Sequence, residues 1–110
     1  AVASTTHEIA VNWQPSIEFA GQQISLSRGR TTVGRDATAD IAVDDQGLSR
    51  KHFELLWDGN KAGVRDLGST NGTRVNGVAM KESPLKNDDV ISAGRTDFVF
   101  QIRAVKANDE

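Results

Sequence analysis

This 110-residue chain predicts an all-β fold, a sandwich or barrel built from short strands. Three observations point there. Apolar residues fall in short stretches, several of them alternating, and no long helical period is present. Turn signals recur between those stretches, with Asp58-Gly59 and Asn76-Gly77 the strongest. The length fits one domain with a single core and no staples.

In chain order, Ile9, Val11 and Trp13 alternate as strand residues do, and Ala20-Gly21-Gln22 forms a turn before alternating Ile24 and Leu26. Thr31 to Gly34 and Ile41 to Val43 are two further β-rich pieces. His52 to Trp57 is a strong strand candidate. Asp58-Gly59-Asn60 then turns the chain, because such residues tolerate positive φ, and Gly63 to Leu67 returns as the partner strand. Asn76-Gly77 joins Thr73–Val75 to Val78–Met80. Pro84 is assigned to a connection, where its missing N–H costs little. Val90-Ile91 and Phe98 to Arg103 complete the set, with Phe98, Phe100 and Ile102 on one face. The ends, residues 1–7 and 104–110, are small and polar and read as loose edges around a domain spanning 8–103.

Composition narrows the function. With no cysteine, disulfides, thiolate metal sites and cysteine nucleophiles are excluded. No apolar run approaches the roughly 18 residues of a membrane span, so no membrane insertion is expected. Ala1 to Glu8 lacks the regions of a signal peptide, and a cytoplasmic location is expected. A net charge of −2 and 5% aromatic residues leave little for a nucleic-acid groove. Positive charge is local instead, at Arg28, Arg30 and Arg35 and again at Arg50-Lys51.

Three stretches carry chemistry. Gly34-Arg35 ends a strand. The glycine lets backbone approach closely, and the arginine offers a planar fork of donors that matches a phosphate. A surface salt bridge to Asp36 or Asp40 is the bland alternative. Ser49-Arg50-Lys51-His52 follows, where Ser49 can donate to a phosphate oxygen or cap a turn, and Arg50 can add a second cation. Strand geometry would point Ser49 and His52 to opposite faces, a poor arrangement for a nucleophile and its base. His52 is therefore expected to be buried and hydrogen-bonded, fixing the loop, and His7 to be idle. The third stretch, Asp66 to Thr73, contains Ser69-Thr70-Asn71-Gly72-Thr73, a tight loop of exposed amides and hydroxyls. Its Asn71 can pair with an extended peptide backbone.

In this order the three stretches resemble the forkhead-associated (FHA) domain, a phosphothreonine-peptide binding family. The marks are Gly34-Arg35, Ser49-x-x-His52 and Ser69-x-Asn71-Gly72-Thr73 followed by Val75-Asn76-Gly77. The run from Gly47 to Gly59 is similar to FHA domains of actinobacterial cell-wall and kinase-signalling proteins. The resemblance implies an eleven-stranded β-sandwich with binding loops at one end. It implies Arg35 and Ser49 as phosphate contacts and Arg50 as a further phosphate or backbone contact. Thr70 would belong to the loop closing on the phosphothreonine, and Asn71 would hold the peptide backbone. Gly34, His52 and Gly72 fall at architectural positions. One departure is visible: Asp88 stands where the family usually has glycine, and a kept left-handed turn is expected there.

The expected ligand is a phosphothreonine-containing protein, a Ser/Thr kinase or its substrate, bound by a monomeric domain without cofactor or metal. A pocket for the extra methyl would favour phosphothreonine over phosphoserine. Two rivals are a phosphate-independent interaction scaffold on the same fold and a hydrolase using Ser49 or Ser69. The second lacks an oriented base.

Overall fold

The structure, a computed structural model, describes residues 11–106. Its eleven strands form two sheets. They are β1 (Val11–Phe19), β2 (Gln22–Ser25), β3 (Gly29–Gly34), β4 (Ile41–Ala42), β5 (Phe53–Trp57), β6 (Ala62–Asp66), β7 (Thr73–Val75), β8 (Val78–Met80), β9 (Glu82–Leu85), β10 (Val90–Ala93) and β11 (Thr96–Lys106). One sheet runs β2-β1-β11-β10-β7-β8 and the other β4-β3-β5-β6-β9. All pairings are antiparallel except β3 with β4. The expected sandwich of eleven strands is what forms.

The period-2 pattern explains the core. Phe53, Leu55 and Trp57 face inward from β5, and Phe98 and Phe100 face inward from β11. The expected single face of Phe98, Phe100 and Ile102 is present, with Ile102 at the edge of the core. Phe53 and Phe98 meet edge to face across the two sheets, with centroids 5.3 Å apart, a geometry that favours aromatic pairs. On the outer side of β5, Glu54 is buried because Arg65, its cross-strand partner on β6, covers it and donates through Nε at 2.9 Å.

Turn chemistry sets the register. Gly59 has φ of +97° in the β5–β6 turn, and the Asp58 carboxylate accepts the N–H groups of Asn60 and Lys61. Asn76 and Gly77 both take positive φ, +51° and +85°, as a tight hairpin turn requires. Asp88 takes φ of +74°, so the left-handed turn is kept without glycine.

Three sequence readings need correction. Pro84 lies inside β9, a strand the alternation did not reveal. That strand is the edge of its sheet, where a residue without N–H is tolerated. The strand expected to end at Arg103 continues to Lys106, because β1 pairs with it all the way to Val11. The strand expected from His52 begins at Phe53, which leaves Ser49 to His52 in a loop. Ile9, His7 and residues 107–110 lie outside the described residues.

Candidate functional site

Connections β3–β4, β4–β5, β6–β7 and β10–β11 converge at one end of the sandwich. Gly34 begins the convergence. A Cβ there would sit 2.0 Å from the Arg50 carbonyl oxygen and 2.9 Å from the Lys51 Cα. The β3–β4 and β4–β5 connections touch backbone to backbone, which only glycine permits. Four hydrogen bonds hold the crossing: His52 N–H to Val33 O, Arg35 N–H to Ser49 O, Asp36 N–H to Arg50 O, and Val43 N–H to Gly34 O.

Arg35 is exposed, and its Nε donates to the Leu48 carbonyl at 3.1 Å. That bond aims the guanidinium while leaving its terminal N–H groups free of protein partners among the described residues. The salt bridge to Asp36 or Asp40 is not what forms. Asp36 accepts from Thr38 N–H, and Asp40 accepts from the Thr32 N–H and hydroxyl. These bonds hold both carboxyls below their ordinary range.

Ser49 is half-buried, and its Oγ accepts the Thr70 N–H at 3.0 Å, which joins the β4–β5 and β6–β7 loops. Asn71 makes the second join, donating through Nδ2 to the Gly47 carbonyl at 2.9 Å. Thr70, Asn71, Gly72 and Arg50 are all exposed, and Gly72 takes φ of +84°.

His52 is fully buried, as expected. Its Nδ1 accepts the Ser49 N–H at 3.0 Å, and its Nε2 lies 2.8 Å from the Gly72 carbonyl. A backbone N–H only donates and a carbonyl only accepts, so the proton sits on Nε2. The imidazole ties two loops through backbone atoms, and its bond is to the Ser49 amide rather than the Ser49 hydroxyl.

Sequence reading missed two carboxylates that shape the site. Asp66 accepts four hydrogen bonds, from Gly68 N–H, Ser69 N–H, Ser69 Oγ and Thr73 Oγ1, at 2.5 to 2.9 Å. Ser69 Oγ in turn accepts the Gly72 N–H. Burial pushes the Asp66 carboxyl up, but the hydrogen bonds led by Ser69 and Thr73 outweigh it and hold the group below its usual range. Asp45 is buried between the β4–β5 loop and the β10–β11 turn. It accepts from Thr96 Oγ1 at 2.6 Å, Arg95 N–H at 2.7 Å and Gly47 N–H at 2.8 Å. The Thr96 hydroxyl is the chief reason its carboxyl is also held low. Asp-x-x-Ser with a glycine between was a readable turn signal for Asp66. Asp45 gave only a local turn with Gly47, since its other two partners, Arg95 and Thr96, lie some 50 residues on.

The larger depressions of the surface lie elsewhere. One of about 490 Å³ sits over Leu56, Gly63 and Pro84 on the outer face of the five-stranded sheet. The loop end is an open surface of amides, hydroxyls and arginines. That form suits an extended segment held by its backbone and one charged group better than a small enclosed molecule.

With this geometry in view, the family model described as FHA domain matches residues 31–94, more than half of the chain. The chain belongs to the FHA domain family. FhaA of Mycobacterium tuberculosis, described as an FHA domain-containing protein, is 37% identical over 76% of this chain and 16% of its own length. The glycogen accumulation regulator GarA of the same organism is 34% identical over 83% of this chain and 56% of its own. The FHA chain thus spans only part of the relatives it matches. A solved structure described as a structural and functional analysis of phosphothreonine-dependent FHA domain interactions superposes with a TM-score of 0.81. It is 33% identical and covers 84% of this chain and 99% of its own. No helix among the described residues is long and apolar enough to cross a membrane.

Proposed function

We propose that this FHA domain is a signalling module that binds phosphothreonine in proteins phosphorylated by Ser/Thr kinases, acting in the cytoplasm by binding rather than catalysis. The observation that carries the reading is the joint state of Arg35 and Ser49. Each spends one group on the protein and keeps another for a ligand.

Arg35 commits Nε to Leu48 and keeps its terminal nitrogens. The guanidinium fork matches two phosphate oxygens. Ser49 Oγ accepts the Thr70 N–H, and its own hydroxyl proton has no acceptor among the described residues. A hydroxyl held that way donates outward, toward an anion. Arg50 adds an exposed cation one residue on. Phosphothreonine carries about −1.5 to −2 charges at pH 7, with three acceptor oxygens for these donors. Thr70 borders the same spot. Asn71, anchored at Gly47, retains its Oδ1 and a second N–H for the peptide backbone. Gly34, His52 and Gly72 position these groups without touching the ligand.

A threonine methyl adds only about 0.8 kcal/mol by burial, so a preference for phosphothreonine over phosphoserine would also need the methyl to fix the phosphate's orientation. The partner is a phosphoprotein, a kinase or its substrate. The similarity to a structure of phosphothreonine-dependent FHA interactions supports this reading.

The test is titration with a degenerate phosphothreonine peptide library beside its unphosphorylated twin. Binding confined to the phosphorylated set is expected, and its enriched flanks would identify the partner's sequence. Equal affinity for the two sets would overturn the reading in favour of a phosphate-independent surface.

A further inference from the structure

We propose that Asn71 is a self-modification site: its carboxamide is converted to a carboxylate through attack by the Gly72 backbone nitrogen and hydrolysis, and the change switches phosphopeptide binding off. The switching role rests on the phosphothreonine reading above.

Two Asn-Gly pairs stand in the chain, Asn71-Gly72 and Asn76-Gly77. In such a pair the glycine nitrogen can close a five-membered ring on the asparagine, because glycine has no Cβ to crowd the approach. The Gly72 N–H gives its proton to solvent, and its nitrogen attacks Asn71 Cγ. A C–N bond forms as the Cγ–Nδ2 bond breaks, and Nδ2 takes a proton from water and leaves as ammonia. Water then opens the cyclic imide at either carbonyl. One opening leaves aspartate, and the other leaves isoaspartate, whose main chain is longer by one atom. Water is consumed, ammonia is released, and nothing is oxidised or reduced.

The fold separates the two pairs. Asn76 takes φ of +51°. A left-handed residue has ψ of about +47°, which turns the next nitrogen to the side of the Cα–C bond opposite Cβ, away from Cγ. The Asn76 carboxamide is also held at both atoms: Oδ1 accepts the Val90 N–H and Nδ2 donates to Asp89, each at 2.9 Å. Asn71 takes no positive φ. Among the described residues its carboxamide is held at one atom, by the bond from Nδ2 to the Gly47 carbonyl. The attacking nitrogen is held by a single bond, from the Gly72 N–H to Ser69 Oγ at 3.0 Å. Asn71 and Gly72 are both exposed, so these bonds open into water, and nothing lies within 4 Å of where a Gly72 Cβ would stand.

The product disables the site in two ways. A carboxylate cannot donate to the Gly47 carbonyl, so that tie between the loops is lost. It also adds a negative charge one residue from Thr70, whose N–H rests on Ser49 Oγ, where the phosphate is read. A bound peptide backbone would engage the Oδ1 and second N–H of Asn71, so an occupied site is protected from the reaction.

The experiment holds the domain in mildly alkaline buffer and follows conversion of Asn71 and Asn76 by peptide mass spectrometry, in the folded domain, in urea, and with a saturating phosphothreonine peptide. In the folded domain Asn71 should convert at least about fivefold faster than Asn76, the effect of one ordinary hydrogen bond on an opening equilibrium. In urea the two rates should converge, since each asparagine precedes glycine. Bound peptide should slow Asn71 by about fivefold and leave Asn76 unchanged. The converted domain, separated by anion exchange, should bind phosphopeptide at least about tenfold more weakly. Asn71→Asp should show the same loss with the circular dichroism spectrum of the parent, which keeps the binding readout decisive if the converted fraction is impure. Equal or faster conversion of Asn76 in the folded domain, or a converted domain that binds as the parent does, would overturn the proposal. Conversion of Asn71 at one rate with and without bound peptide would overturn the protection. A parent domain that binds no phosphopeptide, while Asn71 still converts faster than Asn76, would overturn the phosphothreonine reading and the switching role and support the modification site alone.

Discussion

Replacing Gly34 by alanine tests the architecture of the site without touching a ligand-facing group. Gly34 does not need a left-handed backbone; the requirement is steric. The added Cβ would stand 2.0 Å from the Arg50 carbonyl oxygen and 2.6 Å from its carbon. Non-bonded heavy atoms prefer about 3.5–4.0 Å, so the two backbones must part by more than an ångström. Four hydrogen bonds cross this junction, of which three link Val33, Arg35 and Asp36 directly to the Ser49–His52 segment. Losing two or three at about 1 kcal/mol each, or bearing the strain of an overpacked contact at about 1–3 kcal/mol, gives a loss of about 2–4 kcal/mol. Domains of this size are stable by only about 5–15 kcal/mol. The thermal midpoint should drop by roughly 10–20 °C, and urea unfolding should show the matching shift at unchanged slope. The same separation moves Ser49 away from Arg35, so phosphopeptide affinity measured at a temperature where the variant is folded should fall at least about tenfold. A Gly34→Ala protein within about 0.5 kcal/mol of the parent, binding as the parent does, would refute the reasoning.

Other consequences can be checked with the same assays. Arg35→Ala should bind phosphopeptide more weakly by about 2–5 kcal/mol while melting as the parent does; parent-like affinity would remove Arg35 from the site. Asn71→Ala should weaken all phosphopeptides alike, since it loses backbone contacts and the tie to Gly47, and a sequence-selective loss in a peptide array would contradict that role. His52→Ala leaves the Ser49 N–H and Gly72 carbonyl without partners beside a new cavity, so it should cost about 2–4 kcal/mol in denaturant unfolding. Acid should separate binding from stability. The phosphate's second pKa is about 6, so affinity should decline between pH 7.5 and 5. Asp45 and Asp66 are held below their ordinary range. Their contribution to stability is therefore present above an unfolded value of about 3.9 and lost only as pH falls through the lower folded values. The circular dichroism spectrum at pH 5 should match that at pH 7.5, and unfolding that tracks the loss of binding would contradict the assignment.

The fold was legible where local chemistry decides it. Asp-Gly and Asn-Gly turns, the alternation in β5 and β11, and the tolerance of Asp88 for positive φ are properties of a few adjacent residues. Pro84 misled because its consequence depends on whether the strand is an edge, and that is settled by distant pairings. The β11 extension to Lys106 was hidden for the same reason. Its last residues, Ala104 to Lys106, pair because β1 lies opposite, not because their own pattern requires it. At the site, Gly34, Ser49, His52 and Asn71 stood out as motif residues. Asp45 did not, since it matters chiefly when two loops some 50 residues apart are brought together.

The carboxylates also resolve how a chain of net charge −2 can read an anion. Charge alone would predict repulsion, and the ordinary partner for each arginine would be a neighbouring aspartate. Here Asp40, Asp45 and Asp66 each accept two or more hydrogen bonds from backbone N–H groups and hydroxyls, those of Asp45 coming partly from across the β10–β11 turn, and Asp36 accepts one from the Thr38 N–H. A carboxylate saturated by such donors has few lone pairs left for a guanidinium, and much of its charge is offset by local dipoles. The same bonds that fold the loops therefore help keep Arg35 out of internal ion pairs, leaving its terminal nitrogens for a ligand. Neutralising Asp45 or Asp66 would remove a negative charge from beside the site and yet weaken binding, because the loss of loop order outweighs the gain in field. An increase in phosphopeptide affinity in Asp66→Asn would show that the field, and not the order, dominates.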